Sequence, residues 1–315
     1  MTTALYYDDL FLRHDTGMHP ESAERLVRIV DDLMSSGLWD RCDHPPGRDA
    51  EVEEIALVHD REYIDALLQL AEEGGGQLDF DTPVSRDSGR AALRAAGHVL
   101  DAVETVLKGD AANALCLVRP PGHHARPERG MGFCLFNNIA IAAASLLERH
   151  GLKRVAIVDW DAHHGNGTQE AFWLDGRVIY LSLHLWPYYP GTGGEDEAGA
   201  GEGEDKIVNV PLPLGVRGET FVEQFQAGLE RVRNFSPEFT LISAGFDSYV
   251  GDPLAGAGLA VEDYRTLTDL VTTVAKACCD GRLVSTLEGG YNLEALPKCV
   301  AAHLEGLLAA DGSGT

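Results

Sequence analysis

The feature that most constrains this chain is a rhythm of short apolar runs separated by longer amphipathic stretches. Ala4–Tyr7, Ala114–Arg119, Arg154–Asp159, Val178–Leu183, Phe239–Ala244 and Leu283–Leu287 read as strands, apolar along most of their length. Such runs predict strands buried on both faces of a sheet. Between them lie helical patterns: Pro20–Ser36, with Leu26, Val30, Leu33 and Met34 on one face before Gly37, then Ser88–Lys108 and Asn138–His150, ending at Gly109 and Gly151 as C-caps. Strands joined through helices imply right-handed crossovers and a mostly parallel central sheet with helices on both faces, an α/β fold. With no internal repeat or long linker, residues 1–315 are read as one domain.

The residues after each strand point to one location. Arg119 leads into Pro-Pro-Gly-His123-His124, Asp159 into Trp-Asp161-Ala-His163-His164-Gly-Asn166, Leu183 into His184 and a glycine-rich loop, Ala244 into Gly-Phe-Asp247, and Leu287 into Glu-Gly-Gly-Tyr291. Titratable side chains thus gather at the carboxyl ends of strands, where open α/β sheets form their ligand crevice.

Charge and cysteines narrow the setting. Fifty acidic residues against 25 basic ones give a formal charge of −25, a balance that repels nucleic acid and anionic membranes and draws in cations. The six cysteines (Cys42, Cys116, Cys134, Cys278, Cys279 and Cys299) show no CxxC spacing and are expected to be reduced, as in a cytoplasmic protein. No secretory signal is expected at Met1–Asp9, and no apolar stretch reaches the ~20 residues needed to span a bilayer. The acidic, glycine-rich stretch from Gly191 to Lys206 is expected to be a mobile surface loop.

Asp161 and His163 lie two apart after a strand, so extended geometry points both side chains the same way. With Asp247 from another strand end they make an oxygen-rich triad able to hold one metal with an open position, the arrangement that activates water. Zinc is the expected ion, although such a set also suits iron(II) or cobalt. His123-His124 adds a base for the water and an acid for a leaving amine. Asp159 and Asn166 are candidate partners fixing those rings. Tyr291, after two glycines, is placed to donate to a carbonyl oxygen as it gains charge. The other histidines (His14, His19, His44, His59, His98, His150, His164, His184 and His303) are read mostly as surface or satisfied side chains, His164 and His184 packing beneath the site. No GxSxG, P-loop or GxGxxG after a strand supports a serine hydrolase, NTPase or dinucleotide enzyme.

These residues resemble the histone deacetylase family, in particular its class II-like bacterial amidohydrolases. The matching motifs run from His19-Pro20-Glu21 with Arg25, through Arg119-Pro-Pro-Gly-His123-His124-Ala, Gly132-Phe133-Cys134-Leu-Phe-Asn137-Asn138 and Asp159-Trp-Asp161-Ala-His163-His164-Gly-Asn166-Gly, to Gly245-Phe246-Asp247 and Glu288-Gly289-Gly290-Tyr291-Asn292. The resemblance implies the arginase–deacetylase fold with zinc below a narrow tunnel, held by Asp161, His163 and Asp247. It implies His124 as general base and acid, His123 with Asp159 as a protonated electrostatic partner, and Tyr291 as the carbonyl-polarising group. It makes Phe133 and Tyr189 tunnel walls, Gly132 a carbonyl that meets the substrate amide, and Arg25 a lining residue of an inner cavity. It further implies structural potassium near Asp159, Asp161, His163, Ser182 and Leu183, and a second near Phe172, Asp175 and Val178.

Three departures refine the expectation. Asn166 stands where class I enzymes carry an aspartate. Leu254 stands where polyamine-specific members place a glutamate, so acetylated lysine side chains are favoured over acetylated polyamines. Gly165, Ser248 and Tyr249 occupy positions where a two-metal ureohydrolase needs acids, which argues against the arginase branch. A catalytically dead acyl-amine binding protein is the non-enzyme alternative. Self-association into a homo-oligomer is left open.

Overall fold

The computed structural model describes residues 2–311. The chain runs β1 (Thr3–Tyr6), α1 (Ala23–Ser35), α2 (Val52–Ile55), α3 (Arg61–Glu72), β2 (Gly75–Asp79), β3 (Thr82–Ser85), α4 (Ser88–Lys108), β4 (Asn113–Cys116), α5 (Asn138–Glu148) and β5 (Val155–Asp159). It continues with α6 (Asn166–Ala171), β6 (Val178–Leu185), β7 (Ile207–Leu212), α7 (Gly218–Phe235), β8 (Phe239–Ala244), α8 (Val261–Cys279), β9 (Leu283–Leu287) and α9 (Leu296–Ala310). Seven strands form one sheet in the order β1-β4-β9-β8-β5-β6-β7, every pairing parallel.

The sheet is covered on both faces, as its composition requires. On one side α7, α8 and α9 pack in succession, with α1 against α9; on the other, α4 and α5 lie together. The strands β1, β4, β5, β6, β8 and β9 are buried throughout. A second apolar cluster, including Ile64, Leu67, Val84, Ala92, Leu135 and Phe136, joins α3, α4 and the antiparallel β2–β3 hairpin beside the tunnel described below.

The expected strands and helices are present with shifted ends. β4 stops at Cys116, and Leu117 to Arg119 leave the ladder toward the histidine pair. Three strands escaped the sequence reading. β7 sits at the sheet edge and contains Pro211, which an edge tolerates because it need not donate to a neighbour. The β2–β3 hairpin is short and only partly buried, so it carries little apolar signal. In α1, Leu26, Val30 and Leu33 are buried as expected, but Met34 is 53% exposed; Ile29 and Arg25 complete the inner face. All six cysteines are free. No helix among the described residues is long and apolar enough to cross a membrane.

Candidate active site

Four neighbouring strands, β4, β9, β8 and β5, deliver the site from their carboxyl ends. The β5–β8 register pairs Asp159 with Ser243, so two residues on from one and four on from the other, Asp161 and Asp247 meet. His163 Nδ1 lies 3.1 Å from Asp161 Oδ1 and 2.9 Å from Asp247 Oδ2. Backbone amides hold both carboxylates: Ala162 N donates to Asp247 Oδ1 at 2.8 Å, and Gly289 N to Asp161 Oδ2 at 2.9 Å. A Cβ on Gly289 would stand 2.4 Å from Asp247 Oδ2, so only glycine admits that approach.

This donor set fits a divalent cation. One ligand atom from each of Asp161, His163 and Asp247 falls within 4.8 Å of the others, and both carboxylates are essentially excluded from solvent. Burial, then the neighbouring Asp161 charge, pushes the Asp247 carboxyl up to about 7. Two buried anions facing one imidazole need a positive charge between them.

The histidine pair is split electrostatically. His123 Nδ1 is 3.0 Å from Asp159 Oδ2. Burial alone would depress its pKa, but the Asp159 and Asp161 charges outweigh that and push it up to about 10. His124 Nδ1 is 2.8 Å from Asn166 Oδ1; burial, then the His123 and His163 charges, holds it well below the usual histidine range. The amide oxygen accepts, so neutral His124 carries its proton on Nδ1 and keeps the Nε2 lone pair. Glu288 fixes the backbone beneath both rings, accepting from Gly122 N at 2.7 Å and His123 N at 3.2 Å.

These groups meet in a tunnel of about 210 Å³ lined by His123, His124, Phe133, His163, Tyr189 and Tyr291, with Gly132 and Leu254 also on its wall. Burial keeps the Tyr291 phenol well above its ordinary pKa, hence protonated. The Phe133 ring meets it edge-on with centroids 5.8 Å apart. Tyr189 lies edge-on to His124 at 5.2 Å. At Gly132 (φ +55°) a Cβ would fall 2.5 Å from His124 Cδ2, and its carbonyl accepts from Cys134 Sγ at 3.3 Å. A hollow of about 1000 Å³ around Trp173 has Asn166 on its wall but shares no lining residue with the tunnel.

Arg25 lies behind Tyr291. It is fully buried and does not line the tunnel. Its guanidinium stands over the Tyr291 ring at 5.0 Å, donates to Gly290 O at 2.7 Å and Glu288 O at 2.5 Å, and pairs with Glu21. Asp81 and Tyr188, unmarked in the sequence reading, do line the tunnel. Asp81 follows Asp79-Phe80 in the hairpin turn, a polar cluster that could have drawn notice.

Of the cation positions implied by resemblance, Asp159 and Ser182 pair across β5 and β6, with Leu183 next in the strand. In the second set, Phe172 and Val178 flank Asp175, whose carboxylate is engaged by Arg177 at 2.7 Å. His14, His59, His98, His164, His184 and His303 are buried rather than superficial. All but His98 have hydrogen-bond partners. His164 and His184 pack together beneath the site and tie down Thr192 and Gly193, so the acidic loop is pinned at its stem.

Comparison with known proteins shows the family and the fold. The histone deacetylase domain model matches residues 19–307. A probable deacetylase of Archaeoglobus fulgidus is 41% identical over 94% of this chain and 84% of its own length. A histone deacetylase-like amidohydrolase of Pseudomonas aeruginosa is 35% identical over 97% and 86%. The crystal structure of the HDA15 HD domain superposes with a TM-score of 0.93 at 38% identity, covering 98% of this chain and 88% of that one.

Proposed function

The chain belongs to the histone deacetylase family of hydrolases, and from that premise we propose that it is a zinc-dependent deacetylase acting on acetylated amines, acetyl-lysine side chains foremost. The observation that carries the reading is the adjacent pair His123 and His124, one ring against the Asp159 carboxylate and the other against the Asn166 amide oxygen, in one tunnel with the Asp161–His163–Asp247 triad and Tyr291.

Asp161, His163 and Asp247 would hold the ion. A zinc ion held there would supply Lewis-acid polarisation of a carbonyl oxygen and would lower the pKa of a water from 15.7 toward about 7. Neutral His124 takes a proton from the attacking water on Nε2, its ring oriented by Asn166. Once protonated, it returns that proton to the departing amine nitrogen. His123, kept cationic by Asp159, holds His124 neutral beforehand and offsets negative charge as it develops. Tyr291 donates its phenol hydrogen to the oxygen that gains charge. Phe133 and Tyr189 confine the aliphatic stem of the substrate and exclude water. Gly132 O is the acceptor assigned to the substrate amide N–H.

A second reading, hydrolysis of acetylated polyamines, has a specific footing in Asp81, a carboxylate on the tunnel wall that a distal ammonium would meet. Turnover of acetyl-lysine peptides, acetylputrescine, acetylspermidine and longer acyl-lysines by zinc-loaded protein separates the two. Zinc retained without turnover of any of them would leave only an acyl-amine binding protein.

A further inference from the structure

Asp252 is a buried carboxylate that the mechanism above does not use. It is 9% exposed and absent from the tunnel wall, and no Lys or Arg pairs with it among the described residues. Its charge is held by backbone amides alone. Oδ2 accepts from Tyr291 N at 2.7 Å and Asn292 N at 3.2 Å, while Oδ1 accepts from Leu254 N at 2.9 Å. The Asn292 amide closes the same junction from the other side, donating to Gly251 O at 2.7 Å.

These contacts join two segments with different duties. The phenol oxygen of Tyr291 has no hydrogen-bond partner among the described residues. Its place is therefore set by the Arg25 and Phe133 ring contacts and by its backbone anchor. Leu254 lies on the tunnel wall, and its carbonyl accepts from Tyr188 OH at 2.5 Å. Tyr188 in turn lies against His163, ring centroids 5.6 Å apart. One side chain thus anchors both the oxyanion donor and the wall that faces the substrate stem.

We infer that Asp252 is a positioning residue: it fixes the Tyr291 phenol and the Leu254 wall in register with one another. The inference rests on the proposed deacetylase reaction. A carboxylate suits the task because both of its oxygens accept. An asparagine has one accepting oxygen, and its NH₂ would face either Leu254 N–H or the Tyr291–Asn292 pair, donor against donor. Bonds to an ionised acceptor are also stronger than neutral ones, which matters where a displacement of an ångström slows a reaction by orders of magnitude.

The test is a double-mutant cycle joined to hydrogen exchange. Asp252→Asn is expected to lower kcat for an acetyl-lysine peptide by about tenfold, with KM within about twofold and zinc content unchanged. In a Tyr291→Phe background, where no phenol remains to be positioned, the same change is expected to alter kcat by less than about twofold. Exchange of the Leu254, Tyr291 and Asn292 amides should quicken in Asp252→Asn while the strand amides keep their protection. An unaltered kcat, an equal fall in both backgrounds, or unaltered exchange at those amides would overturn the proposal. Should Asp252→Asn not fold, Asp252→Ser, which keeps an acceptor in a smaller side chain, carries the same cycle. Failure of the wild-type protein to hydrolyse any acetylated amine would defeat the proposed function instead, and the exchange arm then decides whether Asp252 anchors the loops.

Discussion

Neutralising Glu21 should cost this protein about 3 kcal/mol of stability at neutral pH, and the cost should shrink as the solution is acidified. Glu21 is fully buried, where its carboxylate accepts from Arg119 Nη2 at 2.7 Å and Arg25 Nη1 at 3.2 Å. Arg119 and Arg25 are themselves fully buried, so one anion serves two cations. Burial alone would raise the Glu21 pKa, but the Arg119 charge and hydrogen bonds bring it down to about 2 from 4.5. Each pKa unit is 1.36 kcal/mol, so a shift of roughly 2.5 units is about 3 kcal/mol. Removing one partner of a buried ion pair costs about the same, 3–5 kcal/mol. Because the folded pKa lies below the unfolded one, this contribution is fully present above pH 4.5 and fades as pH falls toward 2. Urea unfolding of wild-type and Glu21→Gln proteins at pH 7 and pH 3.5 measures it: the difference should be about 3 kcal/mol in the first case and about 2 in the second. A difference below about 1 kcal/mol at pH 7 would refute the pairing energetics. One that does not narrow at pH 3.5 would refute its assignment to the Glu21 proton.

The wild-type protein should carry about one equivalent of zinc, and Asp161→Ala and Asp247→Ala should each lose it; elemental analysis showing full zinc in both would overturn the ligand assignment. Tyr291→Phe should retain zinc and lower kcat by roughly 10²–10³ in steady-state assays, and an unchanged kcat would leave Tyr291 a packing residue. Acetyl-lysine peptides should be turned over better than acetylspermidine, and Leu254→Glu should move the ratio of kcat/KM toward the polyamine by a margin that narrows with added salt. A wild-type enzyme already favouring acetylspermidine tenfold would sink that ranking.

What the sequence discloses follows from what each residue must satisfy locally. β5, Val155–Asp159, is apolar until its last residue because both faces are covered, and that run is visible without a partner. The strand-end motifs are visible for a related reason: Asp161 and His163 share a direction by strand geometry alone. β7 was lost because its four middle residues are only half-buried and carry a proline, and Met34 because Ile29 and Arg25 fill the face it was assigned. The supporting acids were lost for another reason. Glu21 meets Arg119 98 positions away, Asp252 meets Tyr291 39 away, and Glu288 meets Gly122 166 away. A sequence shows a carboxylate but not which amide or guanidinium the fold turns toward it. The partners of Arg25 are hidden on the same ground: its guanidinium donates to the Gly290 and Glu288 carbonyls, more than 260 positions away.

The two buried charge clusters therefore differ in what completes them. Around Glu21, the two guanidiniums exceed the carboxylate, and Phe11 O, His14 O, Glu288 O and Gly290 O absorb the surplus, so the cluster is closed by protein alone. Around the triad the excess is negative. Asp159, Asp161, Asp247 and Glu288 are all buried, and His123 is the imidazole that Asp159 claims. Backbone amides ease the strain on each carboxylate but carry no net charge to cancel it. Burial first, and then the neighbouring carboxylates, push the carboxyls of Asp247 and Glu288 up to about 7. A dication bound by Asp161, His163 and Asp247 would remove that penalty in the folded chain and find no such cluster in the unfolded one. Ion binding and folding stability are in this way coupled through the same buried acids that place the chemistry.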